Sequence, residues 1–182
     1  HQYFDKNNHV YRYFIHVVFT VISIILFSSH MQTLTPFNAA DSTIHKTGII
    51  LASQSPRRKQ LLEWAEIPFE IIVKETDESY PADLHMEDIA VHIANNKALA
   101  VLNAHHITVP VLAADTIVVL EDNVIGKPKD REDAIAILTA LSGKIHRVIT
   151  GVVILHQDKK IAFADTTEVS FHTLTPEQII FY

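Results

Sequence analysis

The stretch Gly48-Ile49-Ile50-Leu51-Ala52-Ser53-Gln54-Ser55-Pro56-Arg57-Arg58 decides how this chain is read. Gly48 to Ala52 has the composition of a short buried strand. A hydroxyl-rich turn follows, and a helical pattern opens near Arg57, with Leu61, Leu62, Trp64 and Ala65 at helical spacing and Ile67-Pro68 as its stop. A strand that feeds a helix through such a turn gathers unpaired backbone N–H groups, the Ser53 and Ser55 hydroxyls and the Arg57 and Arg58 guanidinium groups near the positive end of the helix dipole. That combination suits an anion. Arginine forks match paired phosphate oxygens, so two of them favour a polyphosphate over a lone carboxylate. A structural reading stands beside this one, in which Ser55 caps the helix, Pro56 takes its first position and both arginines are solvated.

Downstream, Phe69 to Val73 reads as a short strand delivering the chain to Lys74-Glu75-Thr76-Asp77-Glu78-Ser79-Tyr80-Pro81, a loop rich in carboxylates. Met86, Ile89, Ala90, Ile93, Ala94, Ala98 and Val101 then mark a long helix from about Met86 to Ala104, with Asp83 as its start signal and the His105-His106 pair at its end. Lys97 lies beside the apolar stripe, where a lysine either snorkels or reaches into a cleft. Val109 to Leu120 has a buried-strand composition interrupted by Ala114-Asp115-Thr116. A carboxylate in so apolar a run is costly without a partner, so Asp115 either hydrogen-bonds a neighbouring loop or serves catalysis or a metal. Glu121-Asp122-Asn123 reads as a hairpin turn, and the returning Gly126-Lys127-Pro128 would bring Lys127 beside Asp115. Asp130 caps a helix with Ala134, Ile137, Leu138 and Leu141 inward, and Ser142-Gly143 closes it. Two long strands, His146 to Leu155 and Lys160 to Phe171, flank the turn at Gln157-Asp158-Lys159. Thr175-Pro176-Glu177-Gln178 is a helix start of capping-box form.

The 182 residues are 48% hydrophobic, enough for one core of ordinary size and some further length. Fifteen basic against twenty-one acidic residues give a net charge of −6, which argues against a nucleic-acid surface and makes any anion site local. The absence of cysteine excludes disulfides, thiolate metal sites and a cysteine nucleophile. The twelve histidines show no metal-ligating spacing. Residues 1–46 read differently from the rest. Tyr13 to Phe27 is almost wholly apolar, like a signal-peptide core or a short membrane anchor, but falls short of the roughly 17 to 25 residues that span a bilayer. Because the first methionine is Met31, the preferred expectation is translated sequence upstream of the true start, followed by a flexible lead-in over 31–46.

Taken in order, Ser53-Gln54-Ser55-Pro56-Arg57-Arg58, Asp77-Glu78, Lys97, Ala114-Asp115-Thr116, Gly126-Lys127-Pro128 and Ser142-Gly143-Lys144-Ile145-His146 resemble the Maf family of nucleoside triphosphate pyrophosphatases. The resemblance spans 48–182 and places the family domain at 47–182. It implies a mixed α/β fold with an elongated sheet, flanking helices and a central cleft, similar to that of inosine triphosphate pyrophosphatases. It implies a cytoplasmic hydrolase that converts a nucleoside triphosphate to the monophosphate and pyrophosphate with a divalent cation, Mg²⁺ or Mn²⁺. S-x-S-P-R-R with A-D-T resembles the dTTP/UTP group, with modified pyrimidine nucleotides as further substrates, whereas S-D-Q marks the 7-methyl-GTP group. By the same resemblance, Asp115 is the base and Glu78 the metal ligand, two roles that are exchangeable, with Asp115 the second ligand. Lys97 and Lys127 complete the catalytic set. Ser53, Ser55, Arg57, Arg58 and Thr116 contact substrate, and Asp77 is a helper or a solvated loop residue.

A homodimer is left open, a nucleic-acid partner is not expected, and a membrane association is expected only if the apolar run is a working anchor. The family's K-A-G-A-Y-x-I-Q-G-like segment has no counterpart here, from which the domain is expected to lack its carboxy-terminal part and to leave Val148, Val152 or Ile154 facing water. Two other classes of function stay open: a regulatory binding protein of septum formation or cell division, and a membrane-tethered form of the same domain.

Overall fold

The computed structural model describes residues 48–181. The apolar run at 13–27 and the lead-in at 31–46 lie outside the described residues. In chain order the elements are β1 (Ile49–Leu51), α1 (Pro56–Trp64), β2 (Phe69–Ile71), α2 (Met86–Ala104), β3 (Val111–Leu120), β4 (Asn123–Ile125), α3 (Arg131–Leu141), β5 (Ile145–His156), β6 (Lys159–Ser170) and α4 (Pro176–Phe181). Six strands form one mixed sheet in the order β2-β1-β3-β5-β6, with β4 also on β3. β1 runs parallel to β2 and β3, and the β3–β5–β6 part is antiparallel. The fold is therefore the mixed α/β class expected. Among the described residues no helix is long and apolar enough to cross a membrane.

β3 and β5 form the centre because both are dense in β-branched residues and both faces are covered. Val111, Ala113 and Val153 pack beneath Ala94, Ala98 and Val101 of α2, and Ile117, Val119 and Ile149 beneath Ile89, Ala90 and Ile93. The other face carries Leu112, Ala114, Val152 and Ile154 against Leu62 of α1. Val152 and Ile154 are thus fully buried and Val148 half-buried, which corrects the expectation that one of them faces water; Leu62 and Ile67 pack in the same cluster as Val152 and Ile154. The small residues Ala90, Ala94 and Ala98 let α2 lie close to the sheet. At Gly151 the approach is closest, since a Cβ there would lie 2.3 Å from the Ala90 carbonyl carbon and 2.4 Å from the Val91 nitrogen.

Local signals account for most boundaries. Pro56 occupies the start of α1, and Asp130 accepts from the Asp133 N–H to cap α3. In α4 the Thr175 N–H donates to Gln178 Oε1 at 2.9 Å while the Gln178 N–H donates to Thr175 Oγ1 at 3.3 Å, a reciprocal capping box. Two expectations are corrected. The N-cap position of α2 is taken by His85, which makes no side-chain cap bond, and not by Asp83, which lies in the preceding turn. β2 stops at Ile71 rather than Val73, because its partner β1 ends at Leu51, whose carbonyl takes the last bond, from Ile72. Glu121 and Asp122 turn the β3–β4 hairpin with positive φ and are tied to the foot of β5 by Lys144 and Arg147.

Candidate functional site

One edge of β3 is shared by two short strands with a gap between them. β1 pairs with Val111 and Leu112, β4 pairs with Val118 to Leu120, and residues 113–117 face neither. Asp115 and Thr116 lie in that gap. β1 ends beside it, as does its parallel neighbour β2, so the chain leaves both strands toward the same end of the sheet. Open α/β sheets bind ligands beyond the carboxyl ends of such strands. A cleft of about 440 Å³ opens there, lined by Ser53, Gln54, Lys74, Glu78, Lys97 and Lys127 among others.

Lys97 is the centre of the site. Its Nζ donates to Asp115 Oδ1 at 2.5 Å and lies 2.9 Å from Glu78 Oε1, so a helix, a strand and a loop meet on one ammonium group. Glu78 is held a second time by Lys127 Nζ, at 3.0 Å from Oε2. Asp115 and Lys97 are mostly shielded, with side chains 13% and 20% exposed, whereas Lys127 is 83% exposed. Burial pulls the Lys97 pKa down, but its bonds to Asp115 and Glu78 outweigh that and leave it above the ordinary lysine value. Hydrogen bonds from Lys97, then Lys127, hold the Glu78 carboxyl below the usual carboxylate range.

The arginine pair divides. Arg57 is exposed on the first turn of α1 and does not line the cleft. Arg58 is half-buried and uses its fork inside the protein, Nη1 donating to Ser53 Oγ at 3.0 Å and Nη2 to Thr116 Oγ1 at 3.2 Å. Desolvation lowers the Arg58 pKa, partly offset by the charge of Asp115. Arg58 is therefore not the solvated group of the structural reading. Ser55 stands at the helix N-cap without a side-chain cap bond, and its backbone N–H donates to Ser53 Oγ instead.

Of the residues nominated from sequence, Glu78, Lys97, Lys127 and Asp115 form one connected charge cluster, and Ser53, Arg58 and Thr116 form a neighbouring hydrogen-bonded one. Lys127 donates to Glu78, and through Glu78 and Lys97 it is linked to Asp115. Asp77 turns away, accepting from both the N–H and the hydroxyl of Ser79, which keeps its pKa low. Sequence reasoning missed Thr150, whose Oγ1 lies 3.0 Å from Thr116 Oγ1, and Gly151, paired across the ladder with Asp115. A glycine inside an apolar strand was the available signal for close backbone approach.

A divalent cation fits these donors. The cleft-lining Lys74, Lys97 and Lys127 are balanced by Glu75, Glu78 and the adjoining Asp115, so the cleft alone offers little net charge to a polyphosphate. Glu78 and Asp115 are hard oxygen donors, and both converge on the Lys97 ammonium. Among the described residues no group of three or more His, Cys, Asp or Glu side chains is placed to hold a metal, so phosphate oxygens would complete the shell, as Mg²⁺ commonly requires.

Residues 48–182 match the family described as Maf-like protein. The dTTP/UTP pyrophosphatase of Bacillus cereus (strain AH187) is 50% identical over 136 residues, covering 74% of this chain and 70% of that protein. The dTTP/UTP pyrophosphatase of Bacillus cytotoxicus is 47% identical over 133 residues, covering 73% and 69%. Among solved structures, the Staphylococcus aureus Ham1 protein superposes with a TM-score of 0.48 at 14% identity, over 67% of this chain and 70% of that one.

Proposed function

The chain belongs to the Maf-like protein family, and on that premise we propose that its cleft hydrolyses a nucleoside triphosphate, dTTP and UTP before others, to the monophosphate and pyrophosphate. The observation that carries this reading is the Lys97 ammonium bridging Asp115 and Glu78 in the gap of the sheet. Attack of water on the α-phosphorus raises the charge on phosphate oxygens, so donors must already be in place around them. Lys97 and Lys127 supply that charge from fixed positions, and Ser53 adds a hydroxyl. Ser55 and Arg57 stand at the turn beside the cleft, where the outer phosphates would lie.

Lys97 engages Oδ1 of Asp115, which leaves Oδ2 to take the proton of the attacking water. Glu78, with Asp115, would hold Mg²⁺ or Mn²⁺, which when bound neutralises charge on the phosphate oxygens. Thr116, next to Asp115, is a substrate contact in this reading. Residues 47–182 belong to the catalytic domain, which works on the cytoplasmic nucleotide pool. A site that hydrogen-bonds the uracil edge rejects CTP, whose donor and acceptor are exchanged, because buried polar groups would be left unpaired.

Pyrophosphate release from dTTP, UTP, CTP, GTP and 7-methyl-GTP, with Mg²⁺ or with chelator, tests the reading. Expected are turnover of dTTP and UTP above the others, dependence on the cation, and a loss of at least about a hundredfold in Asp115→Asn without change of fold. Faster turnover of 7-methyl-GTP refutes the substrate assignment. Absence of pyrophosphate release from every nucleotide refutes the reaction.

A further inference from the structure

The direction of the Ser53 hydroxyl is set by its neighbours. A serine oxygen has two lone pairs and one proton. Ser53 Oγ accepts from the Ser55 N–H at 3.2 Å and from Arg58 Nη1 at 3.0 Å, so both lone pairs are taken. Ser53 is only 7% exposed, and it lines the cleft. What remains is the proton, and a group with only a proton to give pairs with an acceptor.

Arg58 imposes this state, and its own position is braced. The second prong, Nη2, donates to Thr116 Oγ1 at 3.2 Å, and Thr116 Oγ1 is hydrogen-bonded to Thr150 Oγ1 at 3.0 Å. Thr116 and Thr150 are directly opposed in the β3–β5 ladder, so their spacing is fixed by backbone pairing. A planar guanidinium spans Ser53 and Thr116 at once; a lysine ammonium, a point donor on a flexible stem, cannot hold both in that geometry. The acceptor is identified by its surroundings. Lys74, Lys97 and Lys127 line the cleft with Ser53, with Glu75 and Glu78 among them; once a divalent cation offsets the carboxylates, a phosphate oxygen is the acceptor that the three ammonium groups favour.

Resting on the reading above, we infer that Arg58 is a positioning residue, braced through Thr116 by Thr150, that makes Ser53 an obligate hydrogen-bond donor to a phosphoanion oxygen. Arg58 thus contributes to ligand binding through Ser53.

Inorganic tripolyphosphate with Mg²⁺, which carries the phosphate chain without a base, is the probe. Its affinity is measured by calorimetry for the parent, Ser53→Ala, Arg58→Lys and the double variant. Each single variant should bind about three- to tenfold more weakly, and the double variant no more weakly than Ser53→Ala alone, because one residue acts through the other. A parent that does not bind the probe, an Arg58→Lys variant within about twofold of the parent, or additive losses in the double variant overturn the inference. If Arg58→Lys does not fold, Thr150→Val and Thr150→Ser replace it: valine should weaken binding and serine restore it. Parent-like binding with valine, or an equal loss with serine, overturns the inference. Pyrophosphate release from dTTP by the parent is followed in parallel. Coupled tripolyphosphate binding without release refutes hydrolysis alone, and release without coupling refutes the role of Arg58 alone.

Discussion

Gly151 of β5 and Ala90 of α2 are in backbone contact, and a Cβ on Gly151 would come within 2.3 Å of the Ala90 carbonyl carbon. Gly151 is also the cross-strand partner of Asp115. The distance between α2, which carries Lys97, and the strand, which carries Asp115, is therefore set where no side chain intervenes. Gly151→Ala should push α2 off the sheet. The expected cost is about 1 to 3 kcal/mol of stability, the usual penalty for overpacking, with a drop in kcat that exceeds any rise in KM. Urea denaturation and steady-state kinetics measure the two effects. An alanine variant with parent stability and activity would show that the contact relaxes without moving Lys97.

Lys97 and Lys127 hold the same carboxylate from very different environments, and their replacement should separate stability from activity. Lys97→Met leaves the shielded Asp115 and the more exposed Glu78 without their shared cation, so a loss of about 1 to 3 kcal/mol is expected together with loss of hydrolysis. Lys127 is 83% exposed, and surface ion pairs are worth little. Lys127→Met should stay within about 0.5 kcal/mol of the parent in stability while its kcat/KM falls. Equal destabilisation by the two substitutions would contradict the unequal burial of the two lysines.

The helix Met86–Ala104 was legible from its apolar stripe, and α4 from Thr175 and Gln178, because both signals are local. Asp115 was legible as an anomaly, a carboxylate among Val111, Leu112, Ala113 and Ile117. Its partner was not, because a lysine flanking a helix stripe has the same pattern whether it snorkels or reaches a cleft. The pairing of Lys127 with Glu78 depends on the path of the irregular chain between β2 and α2, which leaves no periodicity to read. Thr150 gave no signal either, threonine being an ordinary strand residue. The division of labour between Arg57 and Arg58 follows from which side of α1 faces Ser53 and Thr116, a matter of packing and not of spacing.

The charge cluster makes a definite prediction about acid and alkali. Glu78 has a native pKa below its ordinary 4.5, so in acid the unfolded chain binds the proton first. The stabilising contribution of Glu78 is then complete above about pH 5, shrinks as the pH falls through the unfolded value, and is gone once native Glu78 is protonated. Lys97 runs the other way. Its native pKa lies above the ordinary 10.5, so its contribution is complete below that value and is lost as the pH rises through the native one. Between these limits the cluster is pH-independent. Glu78→Gln removes the acid limb, so parent and variant should differ by a small constant amount from about pH 6 to 9 and converge only once native Glu78 is protonated. Glu78 is 44% exposed, which keeps that difference under about 1 kcal/mol. Denaturant titrations of both proteins across the acid range measure it. A gap that stays constant to about pH 3 would mean that Glu78 has the same proton affinity folded and unfolded, and that Lys97 and Lys127 do not hold it in solution.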